Sequence, residues 1–350
     1  MENRLRSQNL HDPVMVREVV EALKLKKFAH LKVHPLIIDA TLGLGGHSEK
    51  IIQEGGFVLG IETDCDSLRI AEERLRKVSR SLPELTLNDS DDELVRSSAT
   101  KYPSASSFAH SSSRLAARHS RTNKIYPLFA RLRFVAIHGN FKDLDSILEK
   151  YGFREVYGIL FDLGVSSHQL ASESRGFSFK NTKDELDMRM DKKTQKIRAS
   201  DLLNSLDQKK LFQLFKIVLP EGKARNLARM VAEKRKVKKF KVVSDFLELF
   251  ASKKGEKLHP VTLSMLALRI VVNSELENLK EALPKALKVL RKGGCLIVIS
   301  FHSGEDRIVK EFFKESGGKI ITRKPILAST EEMFRNPRSR SAKMRVLEKI

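Results

Sequence analysis

Between Leu36 and Glu62 two short apolar runs, each ending in an acid, flank a glycine-rich turn, and no other feature restricts the fold as much. Leu36-Ile37-Ile38-Asp39 is the first run. Ala40-Thr41-Leu42-Gly43-Leu44-Gly45-Gly46-His47 is the turn, a helix is expected from about Ser48, and Phe57-Val58-Leu59-Gly60-Ile61-Glu62 is the second run. The stretch from Ala71 to Val78 again has helical character. Strand, turn, helix, strand, helix is the sequence mark of a parallel α/β sheet. Upstream, Val16, Val19, Val20 and Leu23 recur at helical spacing and predict an amphipathic helix within Pro13 to Leu25.

From Ser79 to about Arg131 the periodicity gives way to serine runs with scattered Arg and Asp, which reads as a mobile polar insertion. A strand over Leu132 to Ile137 restores order, followed by a turn at His138-Gly139-Asn140-Phe141. Val156 to Phe161 reads as a further strand, ending at Asp162-Leu163-Gly164. The pattern from Ser200 to Phe250 is helical and basic, and helix signals continue through Ser264 to Leu276 and Leu279 to Leu290. Cys295 to Phe301 is again β-like, entered by a Gly293-Gly294 turn. The fold class expected is α/β, a Rossmann-like sheet with an inserted, mainly helical domain. The division expected is a sheet domain over 1–170 (with the polar insertion at 79–131), a helical domain over 171–258, and a return to the sheet with a basic C-terminal segment over 259–350.

The glycine turn carries chemical information as well. Gly43, Gly45 and Gly46 permit a tight turn and close backbone approach, and the free N–H groups of the helix start face a ligand. A pyrophosphate-binding turn has Gly-x-Gly-x-x-Gly; here the pattern is Gly-x-Gly-Gly with Asp39 four residues before the first glycine. An acid at that point suits the ammonium of S-adenosylmethionine better than it suits a phosphate. Glu62 ends the second run, where a carboxylate can accept hydrogen bonds from two ribose hydroxyls, although capping the next turn would also account for it. A nicotinamide-dependent dehydrogenase stays open on these residues alone.

Charge points to a polyanion. The chain carries 65 Lys plus Arg against 44 Asp plus Glu, a net charge of +21, and the excess is clustered. Lys216 to Lys257 holds 13 basic and 5 acidic residues, and Arg323 to Ile350 holds 8 and 3. Contacts to RNA phosphates are expected from Lys234, Arg235, Lys236, Lys238 and Lys239, and from Arg338, Arg340, Lys343 and Arg345. A solvated helix face is the alternative reading of the first group. Two cysteines, Cys65 and Cys295, suggest neither a disulfide framework nor a thiolate zinc site, and no metal is expected. No run approaches the length of a membrane span and the N-terminus lacks the apolar block of a secretory signal, so a cytoplasmic location is expected.

Longer strings narrow the choice. Asp162-Leu163-Gly164-Val165-Ser166-Ser167-His168-Gln169-Leu170, Arg175-Gly176-Phe177-Ser178-Phe179, Leu186-Asp187-Met188-Arg189-Met190-Asp191, Ile299-Ser300-Phe301-His302-Ser303 and Glu305-Asp306-Arg307-Ile308-Val309-Lys310 occur in this order. Together they closely resemble the MraW/RsmH family of cytosine N4-methyltransferases of 16S ribosomal RNA. The likeness runs from His11-Asp12-Pro13-Val14 to Asn336-Pro337-Arg338-Ser339-Arg340-Ser341-Ala342-Lys343, outside the serine-rich stretch. It implies a class I methyltransferase sheet, S-adenosylmethionine as cofactor, and small-subunit ribosomal RNA or the assembled small subunit as partner. It also implies cofactor contacts at Gly45, Gly46, His47, Glu62, Phe141, Asp162 and Gln169. Gly304 departs from the family's usual leucine, and the serine-rich insertion is foreign to most relatives.

For the chemistry, Asp162 and His302 are the expected amine-orienting residues, because both stand at strand ends. His302 has a structural alternative, a helix N-cap in which Ser303 faces the backbone and Asp306 closes a capping box. Asp187 and Arg189 equally suit a buried ion pair. Methylation of another acceptor (DNA, protein or a small molecule) and a non-catalytic RNA-binding assembly role are the competing functions. Oligomeric state, a homodimer included, is left open.

Overall fold

In the computed structural model the described residues are 13–28, 34–82, 133–153, 156–166, 169–170, 175–250 and 261–350. The first part of the sheet unit comprises α1 (Val16–Leu23), β1 (Leu36–Asp39), α2 (Gly46–Gln53), β2 (Phe57–Glu62), α3 (Cys65–Ser81), β3 (Phe134–His138), α4 (Leu144–Tyr151) and β4 (Val156–Asp162). Helices α5 (Ala199–Ser205), α6 (Gln208–Lys216), α7 (Glu221–Val237), α8 (Val243–Leu247), α9 (Val261–Asn273) and α10 (Glu275–Val289) follow. The chain returns through β5 (Leu290–Ser300), α11 (Ser303–Glu315), β6 (Lys319–Ile320), β7 (Ile326–Leu327), α12 (Thr330–Arg335) and β8 (Lys343–Glu348).

The strands form one sheet in the order β3-β2-β1-β4-β5-β8-β6, with β7 also pairing to β8. From β3 to β5 every pair is parallel, and β8 runs antiparallel to its three partners. Alternate side chains serve opposite faces, as the strand's two-residue period requires. Ile38, Leu59, Ile159 and Val298 pack with α4, α10 and α11, whereas Ile37, Val58, Leu160 and Ile297 pack with α1, α2 and α3. Both faces are therefore covered, which is why these strands read as near-continuous apolar runs. A third cluster, built on Phe215, Val231, Phe240, Phe246 and Leu268, is the core of the helical body, and α9 contributes to it.

Several boundaries differ from those expected. Helix α3 runs to Ser81, so residues 79–81 are helical, while 83–132 lie outside the described residues. Strand β5 begins at Leu290 rather than Cys295: Val156 pairs with Leu290 and Gly158 already with Cys295. Gly293 and Gly294 thus sit in an irregularity within the strand instead of a turn before it, with Gly293 at φ +77°. The basic C-terminal segment ends in β8, whose Met344, Val346 and Leu347 are buried between basic residues that mask the alternation. Helices α9 and α10 are separated at Ser274, a non-glycine residue in the left-handed region (φ 50°).

Candidate active site at the carboxyl ends of the parallel strands

Parallel strands place all their carboxyl ends on one edge, and the order reverses between β1 and β4, where a crevice opens for a ligand. That edge gathers Asp39 at the end of β1, the glycine turn beyond it, Glu62 at the end of β2, Phe141 after β3, Asp162 at the end of β4 and His302 after β5. All ten residues expected at the cofactor or catalytic site lie on or above this edge.

The turn is held from several sides. Gly43 (φ +54°) and Gly45 (φ +78°) occupy the left-handed region that other residues avoid. The Gly43 N–H donates to Glu62 Oε2 at 2.7 Å, and Glu62 Oε1 accepts from the Asp64 N–H at 2.8 Å. Glu62 therefore caps the following turn and still has free lone pairs for further donors. At Gly46 a Cβ would meet the Pro13 ring at 2.8 Å, so this glycine admits the chain's own N-terminal segment.

Asp39 was expected to meet a ligand's ammonium, and in the structure it is enclosed by its own turn. It is 1% exposed, accepts from the Ser48 hydroxyl at 2.6 Å and the Thr41 N–H at 3.3 Å, and so braces the turn from behind. Burial pushes its carboxyl up to about 6, against the pull of those two donors.

Asp162 stands at the end of β4 with one carboxyl oxygen uncommitted. Its backbone N–H donates to Thr41 Oγ1 at 2.6 Å, which fixes the strand end. Its Oδ1 is buried and has no hydrogen-bond partner among the described residues, while Oδ2 lies 3.6 Å from His47 Nδ1. His47 Nε2 sits 2.8 Å from the Val14 carbonyl, an acceptor only, so Nε2 carries the proton and Nδ1 presents a lone pair. Burial pushes this imidazole down to about 4, which keeps it singly protonated at neutral pH. Two acceptors then face each other unless Asp162 holds a proton. Burial first, and the negative charges of Asp39 and Glu305 next, push the Asp162 pKa well above the usual carboxylate range. The site therefore favours the protonated form of Asp162 more than water does.

His302 is the N-cap of α11, in a capping box one residue earlier than expected: Glu305, not Asp306, closes it. Glu305 Oε2 accepts from the N–H groups of Phe301 and His302 at 2.8 and 3.2 Å. His302 Nε2 is buried without a hydrogen bond. Glu275, His302 and Glu305 bring potential ligand atoms within 4.8 Å of one another, but Glu275 is bound in a two-point ion pair to Arg269 at 2.8 Å. The group is an ion-pair network beneath the site.

Gln169 is 4% exposed and committed at both ends of its amide. Nε2 donates to Asp64 Oδ2 at 3.0 Å, and Oε1 accepts from the Ser166 N–H at 2.8 Å. Asp64 also takes a buried ion pair from Arg175, whose Nη2 donates to the carbonyls of Arg189 and Met190 at 3.0 Å. This latch ties the segment after β4, and the loop carrying the Asp187–Arg189 ion pair, to the end of β2. Asp64, Arg175 and Thr41 received no role from the sequence. A cap two residues after Glu62 was the available signal for Asp64; the pairing with Arg175, 111 residues away, had none.

The basic residues divide. Lys234 pairs with Glu248, Lys236 with Glu233, and Lys238 with Asp245 and Glu248, leaving Lys239 exposed with no ionic partner among the described residues. Arg235 donates through Nη1 to the Leu203 and Leu206 carbonyls at the end of α5, and Arg345 is 7% exposed and bound at two points to Asp306. Lys343 is half-exposed beside Asp306, Arg338 is half-buried, and Arg340 is exposed.

The donor set suits S-adenosylmethionine. An unpartnered carboxyl oxygen at the switch point fits a cationic ligand, and Phe141, half-buried and edge-on to Phe161 at 5.5 Å, offers a ring for a nucleobase. Glu62 can serve the ribose. Comparison with known proteins shows the family. Ribosomal RNA small subunit methyltransferase H of Dictyoglomus thermophilum is 34% identical over 348 residues, covering 98% of this chain and 97% of that protein. The protein of the same name from Persephonella marina is 36% identical over 352 residues, covering 97% and 99%. A family model described as the MraW methylase family matches residues 8–102 and 117–350, parting only within the serine-rich stretch, and the chain belongs to that family.

Proposed function

We propose that this protein transfers a methyl group from S-adenosylmethionine to the exocyclic N4 of a cytidine in small-subunit ribosomal RNA, acting in the cytoplasm on the RNA or the assembled subunit. The unpartnered Asp162 carboxyl oxygen, held at the switch point beside His47, carries this reading, and the names of the relatives supply the RNA.

The amine of cytosine is a weak nucleophile because its lone pair is delocalised into the ring. When bound, S-adenosylmethionine supplies an electrophilic methyl on a positively charged sulfur. With a cationic donor beside it Asp162 would be ionised, any proton it held passing to solvent, and its carboxylate could accept an N–H of the amine and turn the amine's lone pair toward the methyl. As the N–C bond formed and the donor's S–C bond broke, its electron pair leaving on sulfur, the amine's surplus proton would pass to that carboxylate. His47, tethered to Val14, fixes the rotamer of Asp162 without titrating near neutrality. His302, the N-cap residue that follows the neighbouring strand, is the second orienting candidate, with its Nε2 3.1 Å from Glu305 Oε1. No cysteine nucleophile is required. The target base must leave its stack to reach this crevice.

A pH dependence follows. Burial pushes Glu62 up to about 7, opposed by the Asp64 and Gly43 N–H donors, and Asp162 is raised as well. Protonated carboxyls do not attract a cation, so donor affinity rises with pH and falls by up to about tenfold per unit on the acid side of the controlling pKa. Binding near neutrality releases protons. Titration calorimetry in buffers of different ionisation enthalpy reads both effects; a dissociation constant unchanged from about pH 5 to pH 8 contradicts them.

The function itself is tested by offering labelled S-adenosylmethionine with small subunits from cells lacking this protein, and in parallel DNA and bulk protein. Label confined to the RNA of the subunit is expected. Label in another acceptor, or in none, refutes the substrate class.

A further inference from the structure

The C-terminal segment brings an aromatic ring to the rim of the site. Strand β8 begins at Lys343, which pairs with Ser300 at the carboxyl end of β5, so α12 and the 3-10 turn Pro337–Ser341 lie on the edge that holds Asp162 and His302. Helix α12 is docked from two sides. Glu332 Oε1 accepts from the Met15 N–H at 2.7 Å, next to the Val14 carbonyl that holds His47, and Met333 packs against the core between the sheet and α1 to α3. With Glu332 and Met333 turned inward, Phe334 is 86% exposed. Burial of a phenylalanine ring is favourable, so a ring held in water on a docked helix is a binding group in search of a face to cover it. On the same helix Arg335 is paired with Glu331, and the uncommitted charge lies in the turn that follows. Arg340 is exposed without an acidic partner among the described residues, whereas Lys234, Lys236 and Lys238 on the helical body are already neutralised by neighbouring acids.

We propose that Phe334 and Arg340 form a platform for an unpaired nucleotide next to the target cytidine, the ring stacking on its base and the guanidinium meeting its phosphate. This rests on the reading of the protein as an RNA methyltransferase and names the surface that receives the strand. An aromatic face with a nearby unpaired cation is the arrangement that binds single-stranded nucleic acid without reading its sequence. A protein partner would also cover an aromatic ring, but the segment from Arg323 to Ile350, with 8 basic and 3 acidic residues, favours a polyanion.

The test uses the full chain and a short fluorescein-labelled single-stranded RNA, read by anisotropy, alongside KM for methyl transfer to small subunits. Phe334→Ala is expected to weaken RNA binding and raise KM by about 5- to 150-fold, with Phe334→Trp restoring both and donor affinity unchanged. Arg340→Ala is expected to reduce the salt slope of RNA binding by about 0.7, one phosphate contact. Unchanged RNA affinity and KM in Phe334→Ala overturn the platform even if the wild type methylates subunits. Loss of self-association in that variant with RNA affinity intact overturns it too, in favour of a protein interface. RNA binding that depends on Phe334 in a wild type that methylates nothing upholds the platform and refutes the methyltransferase reading.

Discussion

Asparagine at position 162 is expected to lower methyl-transfer turnover by about 100-fold or more, the contribution of a positioned proton acceptor. The amide keeps the size of the side chain, and the anchor from the Asp162 N–H to Thr41 Oγ1 is a backbone bond that the substitution does not touch. What is lost is the ability to hold and release a proton. The amide N–H would satisfy the lone pair on His47 Nδ1, now 3.6 Å from Oδ2, and lock the pair in a state with no carboxylate to present. Turnover therefore falls further than donor affinity does, which steady-state kinetics beside equilibrium binding separates. His302→Ala is the companion variant, expected to show a smaller loss because the α11 cap also depends on Glu305 and the Phe301 amide. Near-normal turnover in both variants would remove these residues from the mechanism.

Asp64→Ala is expected to cost about 3–5 kcal/mol of folding stability, the range for stranding one partner of a buried ion pair. Asp64 and Arg175 are 2% and 6% exposed. Without the carboxylate, the guanidinium and the Gln169 amide lose their common acceptor, and the Asp66 N–H at the start of α3 loses its cap. Urea unfolding reads the change as a lower midpoint at similar slope. Replacing both partners with apolar residues (Asp64→Ala with Arg175→Met) is expected to recover part of the loss, since no buried charge is then left alone. An unchanged midpoint in the single variant contradicts the latch.

The sheet was legible because its strands are buried on both faces and end in acids, a pattern local to each run. Asp39, Glu62 and Asp162 could be placed at strand ends from those runs, and parallel topology then gathers them on one edge. Which carboxylate faces the ligand was not legible. Asp39, Glu62 and Asp162 all stood as cofactor contacts, and the closing of Ser48 and Thr41 around Asp39 depends on side-chain hydrogen bonds within a turn whose backbone reads the same either way. The cap at α11 shifted by one residue for a related reason, because His302 and Ser303 both suit the N-cap and the strand's end decides between them. Links across long sequence separations left no local trace. Glu332 reaches the Met15 amide across 317 residues, and without that bond nothing in the sequence puts Phe334 on the rim of the site. In the basic helix α7 the count of lysines was readable, but their neutralisation by Glu233, Asp245 and Glu248 was not.

The identity of the product nucleoside distinguishes exocyclic amine methylation by a carboxylate-centred site from methylation at a ring carbon or on another base. Small subunits lacking the modification are incubated with the protein and labelled S-adenosylmethionine, and their RNA is digested to nucleosides and resolved by chromatography with mass detection. The account predicts label in N4-methylcytidine, with none from the Asp162→Asn protein on the same timescale. Label in 5-methylcytidine, which requires attack from a ring carbon, or in a purine would contradict it.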